Sequence, residues 1–297
     1  MYIESVIVAD EYLTPVLTLN YVSYLQTSHR AVSRELGVYA IGVIDPSTGA
    51  CKVQIRKIDD HSLVNEIDLG VTVDASDLHN YVAPYFFKIN GTLKLHVVVS
   101  RHCANFDYFV IDPSTWSIEK SKSVNINATY VQLAIYKGKV VALYRKGSAS
   151  DTARPLAMYD LENDTETIIV SAPDGIWIYP VVRAVEMFGN GKLAIAWSYY
   201  DSSSGMRYDV RLLIYDPVSD KWYAYNGAEK TLPVAYNDAD CLITSDYNNV
   251  QLIEYNEELY IVMTKFYGKA PSYLYLSLIH ISEPTRPLYI SYAVFCL

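Results

Sequence analysis

The sequence predicts an all-β chain, a β-propeller of four-stranded blades that supplies about five blades before it ends. Three observations carry that expectation. Tyrosine is abundant, 28 of 297 residues, and it comes with many valines and isoleucines, side chains that fit a pleated surface better than a helix. Turn glycines at Gly91, Gly138 and Gly191 recur about 50 residues apart, the length of one four-stranded blade. No capping residue is followed by apolar positions at i, i+3, i+4 and i+7, so helical periodicity is absent. A β-sandwich or jelly roll is the alternative, but its strands would not repeat at this interval.

Taken in order, the first visible blade runs from Tyr12 to about Gly70, and later blades start near Asp77, Thr129, Trp177 and Asp246. One recurrent piece is a strand ending in an Asp-led turn: VIDPSTG from Val43, VIDPSTW from Val110, MYDLEND from Met158 and IYDPVSDKW from Ile214. The aspartate caps backbone amides and proline presets φ. The second piece is an apolar strand launched from a small polar turn, as in NGTLKLHVVVS, KGKVVALYR, GNGKLAIAWSYY and NEELYIVMTKFY. Residues 1–275 are read as one propeller domain. The segment 276–297, LSLIHISEPTRPLYISYAVFCL, reads as translated sequencing adapter, so Cys296 and His280 are set aside and the natural sequence is expected to be cut near Tyr275.

Composition removes several function classes. A net charge of −9 and the lack of any basic block argue against an electrostatic grip on nucleic acid. No apolar run reaches 18 residues, so no membrane span is expected. The N-terminal MYIESVIVADEYL has acids where a signal peptide carries bases. Sequons at Asn90, Asn127 and Asn163 suit an extracellular or cell-surface protein. Cys51, Cys103 and Cys241 lack ligand spacing, and no phosphate loop, metal cluster or nucleophile elbow appears, so neither cofactor nor metal is expected.

Two hairpins hold the candidate chemistry. Asn90-Gly91 is the strongest short hairpin signal, since both central residues of a type I′ turn need positive φ, and Lys137-Gly138 is read as the second turn. Counting outward from them sets His79 opposite His102 and Tyr130 opposite Arg145, each pair with Cβ atoms about 4.5–5.5 Å apart. In a propeller the first strand of each blade lines the channel, so His79, Tyr130, Tyr179 and Tyr247 converge on one polar and aromatic mouth, a usual place for a ligand. Each residue also has a structural reading: a hydrogen-bonded histidine, a tyrosine at a strand start, or Arg145 solvated over Tyr144. His61 and His29 read as loop residues and His96 as a packing or surface residue. Asp77 either orients His79 or caps a turn.

DLHNYVAP with the hairpin ending SRHC, TYVQLA followed by LYRKG, and KWYAYNGAEKTLPV resemble the BNR-repeat propellers that include ulvan-lyase-type polysaccharide lyases, over Val38 to about Asp240. The resemblance implies an active site at His79, His102, Tyr130 and Arg145; Asn80 and the mouth tyrosines Tyr179 and Tyr247 are expected to bind the substrate, a polysaccharide or oligosaccharide. This chain departs from the family pattern at Leu78 and at Cys103-Ala104. Chemistry fits the implied roles. Arg145 can neutralise a uronate through two parallel hydrogen bonds and favour the ionised form of Tyr130, while His79 or His102 exchanges protons near neutral pH. A non-catalytic propeller that binds glycan or protein at the same mouth is the competing expectation.

Overall fold

The computed structural model describes residues 30–185, 192–247, 249–255, 258–267, 270–279 and 290–294. Tyr12, His29, Gly191 and His280 lie outside them. Among the described residues there is no α-helix, only strands, turns and one 3₁₀ turn at Ala239–Cys241; none is long and apolar enough to cross a membrane. The chain divides into two compact units. One comprises Met1–Lys88, Thr92–Ser100 and Asp107–Lys122, the other Ile89–Gly91, Arg101–Phe106 and Ser123–Leu297.

In the first unit, β1 (Arg30–Ser33), β2 (Val38–Ile44), β3 (Ala50–Lys57) and β4 (Leu63–Thr72) form a four-stranded antiparallel sheet in chain order. Along β3, Cys51, Val53 and Ile55 are buried while Lys52, Gln54 and Arg56 are not, the period-two alternation of a sheet with one packed face. That face joins Val82 of β5 (Tyr81–Ile89), Leu95, Val97 and Val99 of β6 (Thr92–Ser100), and Phe109 and Ile111 of β7 (Ala104–Asp112) in one apolar cluster. Full burial of each such side chain contributes about 1.5–3 kcal/mol. Gly42 sets how closely β2 and β5 approach, since a Cβ there would sit 1.8 Å from the Val82 carbonyl oxygen.

β8 (Ser117–Tyr136) is a 20-residue strand that leaves the first unit after Lys122. The blade boundary expected near Thr129 therefore falls inside a continuous strand. In the second unit, β8 is followed by β9 (Lys139–Lys146), β10 (Leu156–Asp160) and β11 (Thr165–Ser171), antiparallel and in chain order. Next come β12 (Ile176–Val185), β13 (Lys192–Asp201), β14 (Met206–Asp216) and β15 (Lys221–Ala224), then the short β16 (Glu229–Lys230), β17 (Val234–Ala235) and β18 (Leu242–Thr244). β16 extends the sheet beside β15, β18 pairs with β14, and β17 lies parallel to β11. The last sheet is β19 (Asn249–Tyr255), β20 (Glu258–Tyr267), β21 (Ala270–Ile279) and β22 (Ile290–Val294). Its pairs Tyr275↔Val294 to Ile279↔Ile290 draw on the segment read above as foreign. The blade starts expected near Asp77, Trp177 and Asp246 correspond to β5, β12 and β19. Leu143, Leu156, Ile169, Ile178, Ile195 and Trp197 fill one core of this unit, and Val181, Ala196, Leu212, Leu252 and Ile261 a second.

The turns follow the sequence closely. Asn90 and Gly91 have φ of 51° and 79°, Lys137 and Gly138 of 51° and 72°, as a type I′ hairpin needs. In the Asp-led turns the carboxylate accepts backbone N–H groups two or three residues on: Ser47 and Thr48 for Asp45, Ser114 for Asp112, Glu162 and Asn163 for Asp160, and Val218 for Asp216. Asp201 makes a fifth turn of this kind, with Ser203. Gly49, Trp116, Asp164 and Gly205 each donate N–H to the carbonyl of the aspartate four residues back, and all four have positive φ.

Candidate functional site

The site is built where β8 meets β9. From the Lys137-Gly138 turn the register runs regularly, Tyr136↔Lys139 to Gln132↔Leu143, and then shifts so that Thr129, not Tyr130, faces Arg145. The expected Tyr130–Arg145 opposition is thus off by one residue. A bulge causes it: Tyr130 takes φ of 61°, and two residues of β8 span the place of one on β9. A left-handed backbone at an aromatic residue is strained and persists only where its surroundings hold it.

The bulge still brings the two side chains together. The Arg145 guanidinium carbon is 4.7 Å from the Tyr130 ring centroid and 4.9 Å from that of Tyr179 on β12, distances at which cation and π-face attract. The two rings lie 5.6 Å apart, and Tyr179 also carries the Arg207 guanidinium at 3.7 Å. Arg145 is 2% exposed, so it is not the solvated side chain of the structural reading, and among the described residues its Nε and Nη1 have no hydrogen-bond partner. Its neighbour Tyr144 points elsewhere, donating to Glu166, and burial followed by that carboxylate raises its pKa.

Thr129 ties in the loop that bears His102. Its hydroxyl accepts the Cys103 N–H at 2.9 Å and donates to Cys103 Sγ at 3.4 Å, which also receives Arg154 Nη1 at 3.7 Å. Cys103, set apart above as a departure from the family pattern, thus serves as an anchor with φ of 53°, next to an exposed His102. Arg154 further stacks on Trp177 at 4.2 Å and donates to the Ala149 and Asp151 carbonyls. Thr129, Arg154, Trp177 and Arg207 were not singled out for the site from sequence. Register across distant strands aligns them, and no local motif announces that.

In the first unit, one carboxylate oxygen of Asp77 meets both the His79 N–H at 2.9 Å and His79 Nδ1 at 2.6 Å. It caps the turn and orients the ring together. A carboxylate only accepts, so the ring proton sits on Nδ1 and Nε2 carries the lone pair in the neutral form. Asn80 is buried and its side chain donates to the Asp74 carbonyl at 2.8 Å, holding the same turn. His79 and His102 lie just outside β5 and β6, so neither occupies a strand register position. Tyr247 packs against the Val181–Leu212 apolar cluster. His61 is a loop residue whose Nδ1 meets the Tyr39 hydroxyl at 3.2 Å. His96 is buried with Nδ1 2.7 Å from the Tyr108 hydroxyl, and desolvation pushes its pKa down to about 4.

A family model described as "BNR repeat-containing family member" matches residues 20–279. No curated protein matches. Among solved structures, a PL25 ulvan lyase bound to a glucuronate–rhamnose saccharide aligns with TM-score 0.62 and 11% identity, over 91% of this chain and 71% of that one. The polysaccharide lyase Uly1 aligns with TM-score 0.57 and 11% identity, over 98% and 76%. At this identity the likeness shows the architecture: the chain is a β-propeller.

Proposed function

We propose, from the premise that this chain belongs to the BNR repeat-containing family, that it is a polysaccharide lyase cleaving uronate-containing glycan by β-elimination. One observation carries the reading. Arg145 is a buried guanidinium whose Nε and Nη1 meet no acceptor among the described residues. A desolvated cation is expensive without a counter-charge, and a planar fork between two aromatic rings suits a ligand carboxylate.

In the reaction, a base removes the proton beside the carboxylate and its electron pair forms the new carbon–carbon double bond. The glycosidic carbon–oxygen bond breaks, and its oxygen takes up a proton. Arg145 neutralises the charge that builds on the carboxylate. Tyr130, whose ring lies against that guanidinium, would carry a proton beside it. His102 and the Asp77-oriented His79 would be the imidazoles that take up or give a proton in this reading. The assay is release of unsaturated uronate, read by absorbance, from a panel of uronate glycans. Arg145→Ala is expected to lose roughly 10²–10³-fold in rate, the scale of removing one charge-stabilising donor. Unchanged release by Arg145→Ala sinks the proposal.

The competing reading, a non-catalytic glycan-binding propeller, draws on the aromatic pair Trp177 and Tyr200, of which Trp177 also carries the Arg154 guanidinium. Binding without product across the panel would select it.

A further inference from the structure

Three glycines among the described residues follow a side chain that can close onto the next backbone nitrogen: Asn90-Gly91, Asp174-Gly175 and Asn226-Gly227. Glycine has no Cβ to shield that nitrogen and lets the backbone rotate widely, so the sequence leaves each pair open to ring closure. The fold locks two of them. At Asn226 the amide nitrogen donates to Asp240 Oδ1 at 2.9 Å, the amide oxygen accepts the Ala228 N–H at 3.0 Å, and the Gly227 N–H donates to the Ala224 carbonyl at 2.9 Å. At Asp174 the carboxylate accepts the Thr152 hydroxyl at 2.7 Å, and the Gly175 N–H donates to the Thr152 carbonyl at 3.0 Å. Asn90-Gly91 differs from both. Asn90 is exposed, and among the described residues neither its side chain nor the Gly91 N–H has a hydrogen-bond partner. A Cβ on Gly91 would meet nothing within 4 Å, so this turn has room to leave its type I′ geometry and bring the nitrogen to the side-chain carbon.

We infer that Asn90-Gly91 is a site of spontaneous covalent modification, deamidation through a cyclic imide to aspartate and isoaspartate. The Gly91 nitrogen attacks the Asn90 side-chain carbonyl carbon; a carbon–nitrogen bond forms, and the amide nitrogen leaves as ammonia, carrying the Gly91 N–H proton. Water then opens the ring. Addition at the side-chain carbonyl restores the chain with aspartate, whereas addition at the backbone carbonyl leaves the chain running through the side chain as isoaspartate. No oxidant, reductant or cofactor takes part. Either product adds a negative charge to the turn, and isoaspartate adds a carbon to the backbone of a two-residue loop whose length sets the register of its hairpin. The inference stands apart from the glycan reading of the Arg145 site and needs no turnover.

The test incubates the purified full chain in warm, mildly alkaline buffer made with heavy-oxygen water, follows the Asn90 and Asn226 peptides by mass spectrometry, and locates isoaspartate in each by enzymatic carboxyl methylation. Asn90 is expected to convert roughly tenfold faster than Asn226, because the latter must first break its hydrogen bonds. Isoaspartate and incorporated heavy oxygen are expected on the same Asn90 peptide. In urea, where both turns are open, the two asparagines are expected to convert within about twofold of each other, since the locking bonds are gone. Asn90→Gln, a substitution on an exposed turn, is expected to remove isoaspartate from that peptide. Equal rates in the folded chain, a gap of the same size in urea, or a mass gain at Asn90 without isoaspartate overturns the proposal.

Discussion

The Asp-led turns and the β8–β9 end are both places where the backbone takes positive φ, and they differ in what holds it there. At the turns, short polar side chains supply the hydrogen bonds locally, Asp45 to Ser47 and Thr48 being representative, and the geometry recurs at Asp112, Asp160, Asp201 and Asp216. At the β8–β9 end, Tyr130 is left-handed with no local residue that favours it, and Arg145 is buried with two nitrogens unpaired among the described residues. Where local preference and observed geometry agree, the residues serve the architecture. Where they part, contacts distant in sequence must hold the geometry instead.

That contrast can be broken most sharply at Arg145. Arg145→Lys keeps the charge but loses the planar fork, so activity on uronate glycan is expected to fall roughly 10²-fold or more while the melting temperature holds; a variant as active as wild type would make Arg145 a structural residue. On the architectural side the largest effect is expected at Gly49, where φ is 73° and a Cβ would lie 2.1 Å from the Val73 carbonyl oxygen. Gly49→Ala should destabilise by roughly 2–4 kcal/mol in denaturant titration, whereas Trp116 holds a side chain at the equivalent turn position.

A pH series sharpens the comparison further. His96 is held neutral in the fold with a pKa of about 4, below its unfolded value, so the unfolded chain binds the extra proton. Stability is then complete above about pH 6.5 and falls as pH drops toward 4, by up to about 3 kcal/mol. His96→Gln should flatten that slope, and an unaltered slope would assign it to other groups. The smallest effect belongs to Asp45, whose pKa is lowered to about 2 by the Ser47 and Thr48 hydrogen bonds. Its contribution is present above about pH 4 and lost as pH falls toward 2. The melting-temperature gap between wild type and Asp45→Asn should therefore be small at pH 7 and close at the acid end.

Much of the architecture was legible because its signals are local. Asn-Gly, the glycine of Lys-Gly and Asp-Pro-Ser-Thr mark turns by their own φ preferences and side-chain caps, and the period-two burial of β3 needs no knowledge of the partner strand. The site was legible only in part. Tyr130 and Arg145 do meet, but through a bulge that counting from a turn cannot foresee, because nothing in TYVQ marks an extra residue. Cys103 gave no sign that its amide and sulfur would be gripped by Thr129 and Arg154, which lie 26 and 51 residues on. Asn80 shows a local case: its side chain donates to the Asp74 carbonyl six residues back and so helps hold its own turn.

The short β17 has a consequence out of proportion to its length. By lying along β11 at Val170↔Val234 and Ser171↔Ala235, it occupies hydrogen-bonding positions on that strand's outer border. An exposed border of this kind can recruit a strand from another molecule. The excursion between β15 and β18 thus acts as a guard rail, and shortening it should show first as concentration-dependent self-association.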